Sequence, residues 1–366
     1  MAKLICSSCQ KSYSENDPRW RCDCGGVLDI QFTPEFDVDK LRRRPFTMWR
    51  YREAIPVLHD ENIISFYEGF TPLIDIDMGG ISVKAKMDHL FPSGSYKDRG
   101  ASVLISKVKE LGIRHVVEDS SGNAGAAIAA YCARAQIECD IYVPSLASPE
   151  KLRQIESMGA RLHKVSGSRQ DAAEAVLHGG EAVYYASHSW NPYFLHGTKT
   201  LAYELCEQLD WRAPDRLIVP VGNGTLLLGA FIGFTELLTA AVIDKMPKLI
   251  AVQTANCAPC AEAFHQGQDD IAVIKDRPTL AEGIAVARPV RGSQIIKAVR
   301  RTDGDFLTVT ENEIKEWLHH LYYRGFYIEP TSAVVFAALS GYQKIDKKET
   351  VVTVMTGHGL KTQKHA

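Results

Sequence analysis

The sequence lacks a long apolar run and lacks an excess of charge of either sign. No stretch of about 18 apolar residues, the length that a membrane-spanning helix needs, occurs in its 366 residues. Met1 is followed by Ala-Lys-Leu-Ile-Cys instead of the apolar segment of a signal peptide, so we predict a cytoplasmic protein. The formal net charge of -2 gives no bulk electrostatic reason to expect nucleic acid or an anionic membrane as partner. A small-molecule ligand is the favoured expectation.

A disulfide framework is also unexpected, because the nine cysteines are odd in number and unevenly placed. Four of them crowd the N-terminus, where Cys6-x2-Cys9 is followed after twelve residues by Cys22-x-Cys24. This spacing is close to that of a zinc ribbon, with the second pair one residue tighter than usual. We predict a structural zinc site, the alternative being a knuckle that has kept its thiols without metal. Four thiolates would close the coordination sphere, which argues against a catalytic metal.

From about residue 100 onward, short apolar strands alternate with helical patterns. The stretch "HVVED" is typical of a buried strand, and "GNAGAAIAAYCARAQ" of a helix made of small residues. Single helices are predicted near 196–209 and 226–238, and Thr310 with Glu313 predicts a capping box at the start of another. This alternation favours parallel sheets with helices on both faces, so we predict two open α/β layers. The first 55 or so residues lack this alternation of strands and helices, which predicts an appended module and arm.

Three loops follow predicted strands and are rich in glycine. They are "VVEDSSGNAG", "IVPVGNGTLLLG" and "VVTVMTGHGLK". A glycine-rich turn that enters a helix presents backbone N–H groups and the positive end of the helix dipole, which together bind phosphate or carboxylate. None of the loops has the dinucleotide fingerprint or the Gly-Lys-Ser/Thr ending of a P-loop, so NAD and ATP are disfavoured as ligands. Each loop alone is equally consistent with an ordinary turn of an α/β fold.

Lys97, taken together with these loops, is more specific evidence for a ligand-binding site than any of the loops alone. Lys97 lies in "FPSGSYKDRGASV", between a turn and a predicted helix start, where it is either a solvated cation or a reactive amine. A lysine that forms a Schiff base with an aldehyde cofactor needs one anion site for the cofactor phosphate and another for the substrate carboxylate. The sequence offers one such lysine and at least two such loops.

Several motifs together resemble a known family. The sequence is similar to the threonine synthase branch of the pyridoxal-phosphate enzymes of fold type II over nearly its whole length. The motifs occur in the order of that branch: "MWRYRE", "EGFTPLI", "GSYKDRG", "EDSSGNAGAAIAAY", "VPVGNGTLLLG", "AEGIAVARP", "YIEPTSA" and "TGHGLK".

The resemblance implies the tryptophan synthase β-like fold, which has two open α/β domains, and it suggests a homodimer. The implied division is a zinc-ribbon-like module over 1–35, an arm and the first part of the large domain over 36–100, a small α/β domain over 101–189, and the remainder of the large domain over 190–366.

The resemblance also implies a role for each matching residue. Lys97 would bind the cofactor aldehyde through its amine and then remove the α-proton of the substrate. Asn123 would hydrogen-bond the ring hydroxyl of the cofactor, and Thr356 would face its pyridine nitrogen. The other implied ligands are Ser120, Ser121, Gly122 and Ala124 for the substrate carboxylate, and Gly222, Asn223, Gly224 and Thr225 for the cofactor phosphate.

Thr356 has a mechanistic consequence within this resemblance. A hydroxyl is expected to leave the pyridine nitrogen largely unprotonated, and the weaker electron sink favours elimination or replacement of a β or γ substituent. Dehydratases of the same fold commonly carry Ser or Cys at this position and a run of glycines in the phosphate turn, whereas this sequence has "GNGT".

Two positions depart from the family pattern. Threonine synthases act on O-phosphohomoserine, and the family places an arginine two residues after an Asn-Pro pair and a threonine after the Gly-Asn of the carboxylate loop. Here Phe194 and Ala124 occupy these positions. A buried phosphate without a charged partner is costly, so a Ser/Thr dehydratase-like lyase that acts on an unphosphorylated amino acid is the alternative. A non-catalytic binding protein on the same scaffold is a second alternative, against which the intact Lys97, Asn123 and Thr356 argue.

Overall fold

A computed structural model describes residues 2–145, 147, 149–167, 169–179, 183–272, 274 and 277–361. The chain divides into two compact units. Unit 1 is formed by Met1–Gly69, Phe91–Thr198 and Lys361–Ala366, and unit 2 by Phe70–Leu90 and Lys199–Leu360. The four domain ranges expected from the sequence stay a prediction.

The strands and helices follow in chain order. The strands are β1 (Lys3–Cys6), β2 (Ser12–Ser14), β3 (Leu28–Gln31), β4 (Leu73–Asp77), β5 (Ser82–Lys86), β6 (His115–Glu118), β7 (Glu138–Pro144), β8 (Arg161–Val165), β9 (Tyr184–Tyr185), β10 (Arg216–Pro220), β11 (Lys248–Thr254), β12 (Asp305–Val309) and β13 (Val351–Val354). The α-helices are α1 (Val38–Leu41), α2 (Lys97–Glu110), α3 (Asn123–Ala135), α4 (Pro149–Ser157), α5 (Arg169–Gly179), α6 (Pro192–Thr198), α7 (Thr200–Gln208), α8 (Thr225–Thr239), α9 (Pro259–His265), α10 (Gly292–Arg301), α11 (Glu311–Tyr323) and α12 (Pro330–Gly341). Short 3-10 turns occur at Met48–Ala54, Asp60–Asn62, Asp88–Leu90, Glu282–Ile284 and Gly359–Lys361.

The described residues of unit 1 form two sheets. The N-terminal sheet is antiparallel with strand order β2-β1-β3, and its buried Leu4, Cys6 and Leu28 belong to the same hydrophobic cluster as buried residues of α2 and α3. The second sheet is parallel, with order β8-β7-β6-β9. A parallel sheet needs helices as crossovers, which the alternating βα pattern supplies. The prediction that the N-terminal segment lacks this pattern is confirmed.

Unit 2 is built on a six-stranded sheet with order β12-β11-β10-β13-β5-β4. All neighbouring strands are parallel except β4, which runs antiparallel to β5 at the edge. Every residue of β10 and of β13 is buried. Strands that are buried along their whole length are typical of a sheet that helices cover on both faces.

The local sequence signals identify some helix ends correctly and miss one. The capping box is confirmed, since Thr310 Oγ1 accepts a bond from the backbone N–H of Glu313 over 3.3 Å and the Glu313 carboxylate accepts one from the N–H of Thr310 over 2.7 Å. The single helix predicted near 196–209 is wrong, because two helices, α6 and α7, cover this region. Asn191 caps the earlier start by accepting a bond from Tyr193 N over 3.1 Å, and Pro192 suits the first helical position.

No helix in the described part of the chain combines the length and the apolar character that a membrane crossing requires.

Candidate active site

Lys97 is the first residue of helix α2 in unit 1. The preceding turn is fixed by Asp98, whose buried carboxylate accepts a hydrogen bond from the backbone N–H of Ser93 over 2.8 Å and another from the Ser93 hydroxyl. Burial raises the pKa of Asp98 to about 7. Gly94 supplies the positive φ of 82° that the turn needs. The turn therefore sets the position of the lysine backbone before any ligand binds.

The amine of Lys97 lies among aromatic groups. Its Nζ donates a hydrogen bond to the hydroxyl of Tyr96 over 2.7 Å and lies 4.5 Å from the centre of the Tyr96 ring. The centre of the Phe194 ring is 5.8 Å away. Both distances are within the range of cation–π attraction, and the lysine is only partly exposed. Lys97 is thus held in a defined environment, unlike a solvated surface lysine.

Phe194 is fully buried against the backbone of helix α2. A Cβ added to Gly100 would lie 2.3 Å from Cε1 of the Phe194 ring, and one added to Gly197 would lie 2.0 Å from the carbonyl oxygen of Arg99. Two glycines therefore let α2 and α6 approach closely with the ring between them. Phe194, which stands where the family pattern has an arginine, is therefore part of the hydrophobic core of unit 1.

The loop predicted to hold the substrate carboxylate connects β6 to α3. Ser120 Oγ accepts a hydrogen bond from the N–H of Gly122 over 3.3 Å, and α3 begins at Asn123. A Cβ added to Gly125 would lie 1.9 Å from the carbonyl oxygen of Ser120, so the loop folds directly over the first turn of the helix. The first N–H groups of a helix have no partner within the helix, and they suit a carboxylate. The structure brings Ser120, Ser121, Gly122, Asn123 and Ala124 together at this helix start.

A polar network that the sequence did not reveal lies behind this loop. His188 Nδ1 is 2.7 Å from a carboxylate oxygen of Glu118, and both side chains are buried. The hydroxyl of Tyr185 donates to the carboxylate of Asp119 over 2.7 Å. These contacts join the end of β6 and the residue after it to β9 and the segment that follows β9, and they help to support the start of the carboxylate loop.

In unit 2, the turn predicted to hold the cofactor phosphate precedes helix α8. Gly224 is the N-cap residue and has a φ of 71°, which favours glycine. A Cβ on Gly222 would lie 2.9 Å from Cα of Ile284, and one on Gly224 would lie 2.3 Å from Cδ1 of Ile295. Glycine is therefore required at both positions, and the turn leads directly into the first turn of a 15-residue helix. This geometry fits a phosphate group, which binds at helix N-termini through backbone N–H groups.

Thr356, also in unit 2, lies two residues after the end of β13 and is buried. Its backbone N–H donates to Ser332 Oγ over 2.8 Å, and the Ser332 and Thr356 hydroxyls are 3.0 Å apart. Thr356 Oγ1 is 3.4 Å from a carboxylate oxygen of Glu329. The motif "YIEPTSA" indicates the family but gives no role for Glu329 or Ser332, which the fold brings to Thr356.

The four N-terminal cysteines also converge. Their sulfur atoms all lie within 4.8 Å of one another, and Cys6–Cys24 and Cys9–Cys22 are each separated by 3.5 Å. Four sulfur atoms about 2.3 Å from a tetrahedral zinc ion would be separated by about 3.8 Å, so the arrangement fits the ion. A Cβ on Gly26 would lie 2.8 Å from the Cys6 sulfur, which explains the glycine after the second pair.

The comparisons with known proteins agree with this architecture. The sequence profile of the family described as pyridoxal-phosphate dependent enzyme matches residues 64–357, and the chain belongs to that family. It is 36% identical to the threonine synthase of Methanocaldococcus jannaschii, over 97% of this chain and 92% of that protein. It is 32% identical to the threonine synthase of Methanosarcina acetivorans, over 99% and 92%. Within the pyridoxal-phosphate dependent enzymes, the chain is therefore a member of the threonine synthase family.

A solved structure supports the fold. Maize serine racemase matches with a TM-score of 0.70 over 90% of this chain and 94% of that chain, at 22% sequence identity. The resemblance to the threonine synthase family is confirmed, and so is the α/β fold expected from it.

Proposed function

We propose that this protein is a pyridoxal-phosphate-dependent carbon–oxygen lyase that acts on a small amino acid in the manner of a threonine synthase. The observation that carries the proposal is the placement of Lys97 on the first turn of α2, with its amine bounded by Tyr96 and Phe194. When bound, the cofactor supplies an aldehyde that binds amines covalently and a ring that accepts the electrons left by a departing α-proton.

The residues of unit 1 would bind the substrate and move its proton. Lys97 would hold the cofactor through its amine and, once released by the incoming amino acid, take the α-proton on Nζ. Asn123 would hydrogen-bond the ring hydroxyl of the cofactor. Ser120, Ser121, Gly122 and Ala124, which lie at the start of α3, would receive the substrate carboxylate.

The residues of unit 2 would orient the cofactor. The turn of Gly222, Asn223, Gly224 and Thr225 would hold its phosphate, for which the glycine conformations and the helix start provide support. Thr356 would face its ring nitrogen. None of these residues is acidic, so none would repel the phosphate.

O-Phosphohomoserine is the substrate that family membership favours. An unphosphorylated amino acid such as L-serine or L-threonine is the alternative, and the buried Phe194 supports it because this side chain offers no charge to a substrate phosphate. The two candidates are distinguished by assaying phosphate release from O-phosphohomoserine beside 2-oxo acid release from L-threonine and L-serine. Activity on the latter two alone would reject the threonine synthase reaction. A purified protein that takes up no cofactor and shows no visible absorption would reject the enzyme altogether.

Four finer features belong to the same proposal. We propose that Cys6, Cys9, Cys22 and Cys24 hold a structural zinc ion, and their sulfur separations support this. A cytoplasmic location and a homodimer remain predictions of the sequence and its resemblance. The division into a zinc-ribbon-like module, an arm and two α/β domains is likewise proposed.

A further inference from the structure

Trp20 connects the N-terminal cysteine cluster to the rest of unit 1. It lies two residues before Cys22, in the connection between β2 and β3. Its ring packs edge-to-face on Tyr185 and on Trp190, with ring centres separated by 5.0 and 5.6 Å and ring planes at 82° in both pairs. Aromatic pairs in this arrangement attract each other beyond the effect of the area that they bury. This one side chain therefore contacts both ends of the segment 185–190.

That segment holds the two residues that come directly before the carboxylate loop. The hydroxyl of Tyr185 donates to the carboxylate of Asp119 over 2.7 Å, and His188 Nδ1 is 2.7 Å from the carboxylate of Glu118. Burial raises the pKa of Tyr185, so its hydroxyl keeps the proton that Asp119 accepts. Ser120, the next residue along the chain, begins the carboxylate loop. A displacement of the segment would therefore be passed on to this loop.

The cysteine cluster fixes the backbone that carries Trp20. The N–H of Cys22 donates to the carbonyl oxygen of Gly26 over 3.0 Å, and Arg21 forms an isolated β-bridge with Val27. The buried sulfur of Cys22 is one of the four that the proposed zinc ion would join. A bound ion would hold this turn in one conformation, because ligands from both cysteine pairs must meet at fixed distances. Zinc would therefore restrict the position of the tryptophan.

The N-terminal segment makes a separate contact with helix α6. The hydroxyl of Tyr193 donates to the backbone carbonyl oxygen of Glu15 over 3.3 Å, and both residues are buried. Tyr193 precedes Phe194, whose ring centre is 5.8 Å from the amine of Lys97. This contact does not involve Trp20. It therefore distinguishes a local effect of the tryptophan from a general loosening of the N-terminal segment.

We propose that Trp20 is a positioning residue through which the cysteine cluster and its zinc ion hold the substrate carboxylate loop in place. The inference rests on the proposed function, in which residues 120–124 receive the carboxylate and the four cysteines hold zinc. Trp20 does not touch the substrate in this proposal. It keeps Tyr185, and through its hydroxyl Asp119, in the position that the loop requires. The N-terminal module then contributes to substrate binding as well as to stability.

Hydrogen exchange of the loop amides tests this directly. Full-length proteins, purified with zinc and pyridoxal phosphate, are compared by mass spectrometry of peptides that cover 116–126. We expect Trp20→Ala to speed exchange there about tenfold, because local opening becomes easier when packing contacts are lost. Cys9→Ser should act in the same direction. The double variant should exchange more slowly than the product of the two single effects, because both changes act through the same contacts. Trp20→Phe keeps an aromatic ring and should restore most of the protection.

Substrate kinetics and a matched tryptophan supply the controls. Michaelis constants are measured for O-phosphohomoserine, L-threonine and L-serine. For the amino acid that the wild type converts, we expect Trp20→Ala to raise the Michaelis constant more than it lowers kcat, because the loop binds the carboxylate before and during the reaction. Trp317 is also partly buried and donates to Ser340 Oγ over 3.1 Å in unit 2, so Trp317→Ala should leave loop exchange unchanged. Exchange over 192–198 should be unchanged in Trp20→Ala.

Several outcomes would overturn the inference. Wild-type exchange of the loop in Trp20→Ala or in Cys9→Ser would do so. Exchange that rises equally in the loop and over 192–198 in Trp20→Ala would also do so, because the tryptophan would then stabilise the unit without positioning the loop. If Trp20→Ala does not fold, Tyr185→Phe takes its place, since it keeps the ring and removes the bond to Asp119.

The same loop should exchange faster in Tyr185→Phe while the zinc content stays that of the wild type, and unchanged exchange in this variant would contradict the proposed link. A wild-type protein that takes up no cofactor would reject the proposed function instead. The exchange measurements on the zinc-loaded protein would in that case still show whether Trp20 holds the loop.

Discussion

The side-chain amine of Lys97 donates a hydrogen bond to the hydroxyl of Tyr96, its neighbour in sequence, over 2.7 Å. Adjacent residues on a regular helix point away from each other, but Tyr96 is the N-cap of α2 and lies outside the regular turns. The helix start therefore allows the two side chains to meet. The consequence is an amine that is already oriented before a cofactor arrives.

Replacing Lys97 by alanine should abolish covalent attachment of the cofactor. We expect Lys97→Ala to lose the visible absorption band of the lysine-bound cofactor and to lower turnover by about 10²–10⁴-fold or more, because the variant lacks the amine that takes the α-proton. Spectroscopy of the purified protein and the assays described above measure both effects. Lys84→Ala is the control, since Lys84 pairs with Asp75 on the surface of unit 2. A Lys97→Ala protein that retains the band would assign the attachment to another lysine.

Gly125 should tolerate no side chain. A Cβ there would lie 1.9 Å from the backbone oxygen of Ser120, and a backbone atom cannot turn aside as a side chain can. We expect Gly125→Ala to lower the free energy of unfolding by more than about 2 kcal/mol and to weaken substrate binding, because the carboxylate loop must shift.

Gly341→Ala is the matched comparison for Gly125→Ala. Gly341 is the last residue of α12, and a Cβ there has no neighbour within 4 Å. The free energy of unfolding of Gly341→Ala should stay within about 1 kcal/mol of the wild-type value. Denaturant unfolding followed by circular dichroism measures both variants, and equal stabilities would show that the loop does not lie over the helix as described.

Local patterns account for most of what the sequence predicts correctly. The capping box of Thr310 and Glu313 is made by residues three apart, and helix α8, predicted near 226–238, begins and ends one residue outside that range. The start of α6 also had a local signal, because Asn191 and Pro192 are a favourable N-cap and first helical residue. This start could have been found from the sequence.

Long-range packing accounts for what the sequence leaves out. Glu329 and Thr356 are 27 residues apart, and no periodic pattern links a glutamate before α12 to a threonine after β13. The burial of Phe194 likewise depends on the approach of Gly100 from another helix. Motif order identifies the candidate residues, but the protons and packing around them depend on contacts that only the fold creates.

The buried carboxyl of Asp98 should make stability depend on pH. Its pKa is raised to about 7, chiefly by burial, whereas the unfolded chain has a value near 3.9. The folded state therefore holds the proton more tightly. The stabilisation from this group is complete below about pH 4 and is lost as the pH rises through about 7, with a change of at most about 4 kcal/mol.

Asp98→Asn tests this dependence because asparagine resembles the protonated acid. We expect the difference in free energy of unfolding, wild type minus variant, to decrease between pH 4 and 7.5 in denaturant titrations. Asp75→Asn is the control, since the hydrogen bond from Lys84 lowers the pKa of Asp75 and the corresponding difference should decrease toward low pH instead. A flat profile for Asp98→Asn would mean that Asp98 is ionised in the folded state throughout this range.

The four N-terminal cysteines should bind one zinc ion per chain. We expect elemental analysis of the purified wild type to give a stoichiometry near one, and Cys9→Ser or Cys24→Ser to give far less, because a hydroxyl is a poor zinc ligand. The melting temperature of these variants should fall, since zinc that binds the folded state alone stabilises it. Both substituted side chains are exposed, so loss of packing contributes little to the change.

Cys260→Ala provides the control for zinc content. Cys257 and Cys260 repeat the Cys-x2-Cys spacing at the start of α9, but both are buried, and burial raises the pKa of Cys260 to about 12, which keeps it a neutral thiol. Within the described ranges, the groups of three or more side chains able to hold a metal do not include this pair. Zinc content should therefore be unchanged in Cys260→Ala. Loss of zinc from Cys260→Ala, or a full zinc content in Cys9→Ser, would contradict the assignment of the zinc site to the four N-terminal cysteines.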